Sequence, residues 1–118
     1  MSSITESGHA GGFLLSEAAG QRSREKVTIA SGQNLGAGTV LGKISGDGTY
    51  AIYDNDASDG TQTAVAILFA DCDASDGEQE ATVIARDAEV NGEELIFQSS
   101  DEETAGIADL LSVGIIVR

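Results

Sequence analysis

Val27-Thr28-Ile29-Ala30-Ser31-Gly32-Gln33-Asn34-Leu35-Gly36-Ala37-Gly38-Thr39-Val40-Leu41-Gly42-Lys43-Ile44 is the stretch on which the fold turns. Two runs of β-branched and aliphatic residues, Val27–Ile29 and Thr39–Ile44, flank a segment holding Gly32, Gln33, Asn34, Gly36 and Gly38. Val, Ile and Thr fit a pleated, half-buried surface, and glycine supplies the backbone angles of sharp bends. Gly42 lies inside the second run, where a missing side chain marks a bulge or a bend. The stretch therefore predicts a β-ribbon folded sharply on itself.

Outward from the ribbon, the C-terminal side reads as more short strands. Tyr50–Tyr53 is one, and Ala64–Phe69 is a nearly continuous apolar run of strand length, expected to be central and buried on both faces. Ala81–Ala85 is another. Asn91 with Glu94 three residues on predicts a capped helical turn, and Ser100 followed by Asp101, Glu102 and Glu103 predicts a second capping box. Ile107, Leu110 and Leu111 then share one helical face, Gly114 suits the left-handed position past its end, and Ile115–Val117 is a last strand. On the N-terminal side, Met1–Gly12 is rich in Ser, Gly, Thr and Glu without periodicity and reads as a mobile arm. Phe13-Leu14-Leu15 forms an apolar cluster at the base of that arm, able either to tuck onto its own domain or to dock on a partner. The fold class is mainly β with one short C-terminal helix, preceded by a flexible N-terminal arm.

Composition limits both core and partners. At 118 residues the chain is long enough for one domain with a sizeable core. With no Trp, three Phe and two Tyr, however, it has few large anchors, so contact between subunits is expected to supplement burial. A net charge of −14, with only six basic residues, argues against nucleic acid and anionic membrane as partners. Arg22, Arg24 and Lys26 gather just before the ribbon while acids dominate from Asp54 to Glu103, an asymmetry that can orient docking or simply confer solubility. The longest apolar run, Ala64–Ala70, is far short of the roughly 20 residues that cross a bilayer. No charged-then-apolar leader opens the chain, so secretion is not expected.

Catalytic and metal chemistry find little support. His9 is the one histidine and lies in the arm; the one cysteine, Cys72, sits among acids that raise a thiol pKa. A disulfide or a cysteine zinc site needs more thiols. Asp54-Asn55-Asp56-Ala57-Ser58-Asp59-Gly60 recurs as Asp71-Cys72-Asp73-Ala74-Ser75-Asp76-Gly77 and invites a calcium reading. The EF-hand pattern fails, since Gly is seventh rather than sixth and the twelfth residues are Val65 and Thr82. These residue types also make strand-connecting turns, which is the favoured reading. A lipoyl or biotinyl carrier needs a lysine at an exposed hairpin tip, whereas Lys43 falls inside a strand. No catalytic, cofactor-binding or metal residue is assigned, and an enzyme is not expected.

The order of motifs carries more. Phe13–Ala18, Ser23–Ile29, Gly32-Gln33, Ala37–Gly42, Ala64–Leu68, Val83–Asn91 and Leu111–Arg118 together resemble the lambda-type phage head decoration protein family. The resemblance implies a β-clip-like fold, a bent ribbon or incomplete barrel. It implies a homotrimer that binds the major capsid protein at three-fold sites on the outer surface of the expanded head, after synthesis in the host cytoplasm. It divides the chain into a capsid-docking arm over residues 1–20 and a decoration domain over 21–118. The docking residues it implies are Phe13, Leu14, Leu15, Ser16 and Glu17, with Arg22 and Arg24 nearby. Two other readings compete: a β-clip domain for a small ligand, as in antifreeze-like domains, and a calcium-dependent adhesion module.

Overall fold

The computed structural model describes residues 12–17, 23–98 and 102–118. His9, Arg22 and Ser100, with residues 1–11 of the expected arm, lie outside them. Among the described residues, ten strands and one α-helix follow in order. They are β1 (Leu14–Glu17), β2 (Arg24–Ile29), β3 (Gln33–Leu35), β4 (Val40–Lys43), β5 (Tyr50–Ile52), β6 (Ala66–Leu68), β7 (Cys72–Ala74), β8 (Gln79–Ile84), β9 (Ala88–Val90), α1 (Glu103–Ser112) and β10 (Ile115–Val117). The chain is mainly β with one short C-terminal helix, as the alternating apolar runs predict.

Five strands close a barrel in the order β2-β5-β4-β6-β8, β8 returning antiparallel to β2 over six residue pairs from Arg24↔Ile84 to Ile29↔Gln79. The two halves of the expected ribbon are present but do not pair with each other. β5 lies between them, antiparallel to β4 and parallel to β2 at Ile29↔Tyr50. The intervening turn region forms β3, which pairs with β7 in a separate two-stranded sheet. A third sheet, β10-β9-β1, sets the strands from the two ends of the described chain on either side of β9, β10 parallel and β1 antiparallel.

Gly42 is not a bulge. It pairs in register with Ala51, and the reason for glycine is a close approach: a Cβ there would stand 2.5 Å from Thr61 Cα. The register shift falls elsewhere, between Glu89 and Val90, and leaves Leu15 unpaired opposite it.

Side chains alternate across a strand, so neighbouring residues of the barrel wall serve opposite cores. Leu41, Ala66, Leu68 and Val83 join Val27 and Ile29 inside the barrel, with Cys72 and Ala74 of β7. Val40, Ile67 and Ile84 are cross-strand partners in one row and face outward, under the third sheet and the helix. There they meet Phe13, Tyr53, Ala88, Val90, Leu110 and Ile115. All three residues of β6 are buried, which explains why its sequence lacks alternation.

The helix differs in detail from its expected form. Its N-cap residue is Glu102, which makes no side-chain cap bond, because its carboxylate accepts the Asn55 backbone N–H at 3.1 Å. The buried stripe is Gly106 and Leu110, while Leu111 is 62% exposed. Gly106 lets the helix lie against the Phe97 and Tyr53 rings. Asp109 accepts the Ala64 N–H at 3.0 Å, so two helix carboxylates clamp the segment that follows β5. Gly114, at φ +87°, reverses the chain into β10. Asn91 caps a 3-10 turn at Gly92–Glu94 as predicted, accepting from the Glu93 N–H at 3.0 Å.

Candidate docking site

The base of the arm is built into the third sheet. Leu14 pairs with Val90, Ser16 with Glu89 and Glu17 with Ala88. Phe13 just precedes this strand, and its carbonyl accepts the Asn91 N–H at 2.7 Å. Its ring is 2% exposed and belongs to the chain's own core, with Leu14 packed half-buried beside it. Of the two fates open to the apolar cluster, Phe13 takes the inward one. Leu15, at the register shift, turns out and is 54% exposed, and Ser16 is exposed next to it.

Glu17 and Arg24 come together. Arg24 Nη2 donates to Glu17 Oε1 at 2.6 Å and its Nε reaches Oε2 at 3.1 Å, while the buried Ser23 hydroxyl donates to the same carboxylate. The Arg24 guanidinium also lies 4.3 Å from the centroid of the Phe69 ring. Arg24 is the cross-strand partner of Ile84, so it extends the Val40, Ile67, Ile84 row by one charged side chain. The result is a staple from β1 to the barrel wall. These two residues face each other, so neither stands as a free charge on the surface.

The staple has a pH signature. The Arg24 hydrogen bonds, and secondarily the Ser23 hydroxyl, hold the Glu17 carboxyl below its ordinary value of 4.5. A carboxylate depressed by folding contributes stability above that ordinary value, and the contribution is lost as pH falls through the folded pKa. Glu17→Gln is therefore expected to cost roughly 1 kcal/mol at pH 7, kept small by the solvent exposure of Arg24. Urea unfolding of both forms should show the gap closing once pH drops well below 4.5. A gap of the same size in acid would remove Glu17 from this role.

Beside β1 runs an open groove of about 280 Å³ lined by Ser16, Glu17, Asp87, Glu89, Gly114 and Ile116. Glu89 is paired with Arg118 at 3.0 Å across the sheet. Ile116, the cross-strand partner of Glu89, is 40% exposed on the same face as Ser16. Among the described strands none pairs with the outer edge of β1. The site thus offers main-chain groups that no described strand pairs with, two exposed apolar side chains and an acidic rim. Ile116 and Glu89 were not in the expected set; their cue was the apolar ending at Ile115–Val117, whose pairing with β9 the sequence does not state.

The acidic loops are organised as turns. Asp47, Asp59 and Asp73 each accept the backbone N–H and the hydroxyl of the residue two places on, Thr49, Thr61 and Ser75. The side-chain bond is the main cause of the lowered pKa at all three. Asp71 accepts the Ala37 N–H at 2.8 Å, and Asp54 that of Asp56 at 3.0 Å. Among the described residues no group of three or more His, Cys, Asp or Glu is placed to hold a metal ion. Cys72 is buried, and burial more than the neighbouring Asp73 charge pushes its thiol pKa up. Lys43 ends β4 rather than sitting at a hairpin tip.

A family model described as Bacteriophage lambda head decoration protein D matches residues 3–115. No curated protein matches the chain.

Proposed function

From the premise that the chain belongs to the bacteriophage lambda head decoration protein D family, we propose that it binds the outer surface of the expanded capsid as a homotrimer at three-fold sites and stabilises the head. The observation that carries the docking mechanism is β1, an edge strand whose outer side has no partner among the described strands and whose N-terminal end leads into residues 1–11. A strand of the major capsid protein adding to that edge, or to the arm beyond it, would gain main-chain hydrogen bonds without demanding a particular sequence. Leu15 and Ser16 face outward to receive it, while Phe13, Glu17 and Arg24 hold the edge in place from behind. Three arms at one three-fold site would add avidity. Ile96 and Leu111, large apolar side chains left on the surface, support contact between subunits.

The test is mixing with expanded, undecorated heads. The full chain should occupy the three-fold positions and should scatter light as a trimer. A chain lacking residues 1–11 keeps Phe13 and so keeps its core, yet its head affinity should fall by more than about tenfold. Equal occupancy by the truncated chain would overturn the arm mechanism, and a monomer both free and on the shell would overturn the trimer.

A further inference from the structure

Asn91 and Gly92 sit where both terminal strands are tied down. The Asn91 N–H donates to the Phe13 carbonyl at 2.7 Å, the Gly92 N–H to the Arg118 carbonyl at 3.1 Å, and the Arg118 N–H to the Val90 carbonyl at 2.9 Å. The Asn91 side chain is held at both ends, Oδ1 accepting from the Glu93 N–H at 3.0 Å and Nδ2 donating to the Glu94 carboxylate at 3.3 Å. Packing favours glycine at position 92, since a Cβ there would lie 2.8 Å from Val117 Cγ1 and push that side chain aside. That packing creates an Asn-Gly pair, in which no side chain shields the second backbone nitrogen from the first residue's amide carbon.

We propose that Asn91–Gly92 is a latent deamidation site that the junction of β1, β9 and β10 holds shut in the folded protein. The Gly92 backbone nitrogen loses its proton to solvent base and bonds to Asn91 Cγ. The Cγ–Nδ2 bond then breaks and ammonia leaves with a proton from solvent, giving a five-membered succinimide. Water opens that ring at either carbonyl, leaving an aspartyl or an isoaspartyl residue at 91; no oxidant or reductant takes part. In the fold the nucleophile's proton is engaged by Arg118 and the amide is anchored to Glu93 and Glu94, on an extended backbone with ψ 111°. Ring closure therefore requires the end of β10 to lift from Val90 and Gly92. The product is one-way: a new carboxylate joins Glu89, Glu93 and Glu94, and the isoaspartyl form adds a methylene to the main chain at the point that ties β10 to β9.

The experiment needs no capsid, so it stands apart from the proposed function. The full chain is kept in mildly alkaline buffer, folded or in urea, and the Asn91 peptide is followed by mass spectrometry for the gain of about 1 Da, with isoaspartate measured separately. Asn34 and Asn55, followed by Leu35 and Asp56, are references within the same chain. In urea Asn91 is expected to convert more than about tenfold faster than either reference, and folding should slow it by more than about tenfold. Equal rates folded and unfolded, or no lead over Asn34 in urea, overturn the site. Val117→Ala loosens β10 without touching Asn91 and should speed conversion in the folded protein; an unchanged rate overturns β10 as the gate.

Discussion

Replacing Phe13 by alanine is expected to lower the unfolding free energy by about 3–5 kcal/mol, the range for emptying a buried aromatic site. The ring is 2% exposed and lies in the core shared by the third sheet, the helix and the outer wall of the barrel. Its neighbours there are the buried side chains of β-strands and a helix, which relax poorly into a void of this size. Against a total stability of about 5–15 kcal/mol this is a large fraction, and a melting temperature lower by roughly 10–20 °C should follow. Leu15→Ala, two residues on and facing solvent, should move stability by no more than about 0.5 kcal/mol. Urea unfolding of the two variants separates the inward residue from the outward one. A loss below about 1 kcal/mol for Phe13→Ala would mean that position 13 does not fill the core.

The second large effect is expected at Gly42. An added methyl would stand 2.5 Å from Thr61 Cα, 2.8 Å from its carbonyl oxygen and 2.9 Å from its carbonyl carbon. These are main-chain atoms, so no rotamer change relieves the clash, and the segment has little room to retreat. Thr61 is fixed through its N–H and hydroxyl to Asp59, and the Asp54 N–H donates to its carbonyl at 2.9 Å. Gly60, at φ +114°, itself abuts the Lys43 carbonyl. Gly42→Ala should cost about 3 kcal/mol or more, the upper end for overpacking, with poor soluble yield as the first sign. Gly46→Ala is the control, because a Cβ there meets nothing within 4 Å. Equal stability of the two variants would show that the strand β4 and Thr61 do not approach as closely as described.

The contrast between these glycines marks what a sequence states and what it leaves out. Strand composition, the Asn91 cap, the Gly114 reversal and the apolar ending at Ile115–Val117 are local and were all legible. Gly42 was legible as special but not for its reason, since the atom that forbids a side chain belongs to Thr61, nineteen positions later. The same limit applies to the ribbon. Val27–Ile29 and Val40–Lys43 are strands, but the one that pairs with both comes from Tyr50–Ile52, and only closure of the barrel selects that order. On the helix, periodicity allowed Leu110 and Leu111 to share a face; the rings of Tyr53 and Phe97 against Gly106 turned that face, leaving Leu111 outside. At the candidate docking site, the apolar cluster and Arg24 stand out in the sequence, whereas Glu17's bond to Arg24 depends on β1 lying against β9.

The third sheet has a consequence for the order in which the molecule is made. Of the described strands β1 is synthesised first, yet its partner β9 lies more than seventy residues behind it, and the core beneath both is filled by Leu110 and Ile115. The barrel, whose strands end at Ile84, can assemble while β1 has nothing to pair with. Long-range pairing of this kind is slow and comes late in folding. The edge of β1 is thus not set into its sheet until β9 and β10 have been synthesised, so that a half-made chain holds a barrel without its third sheet.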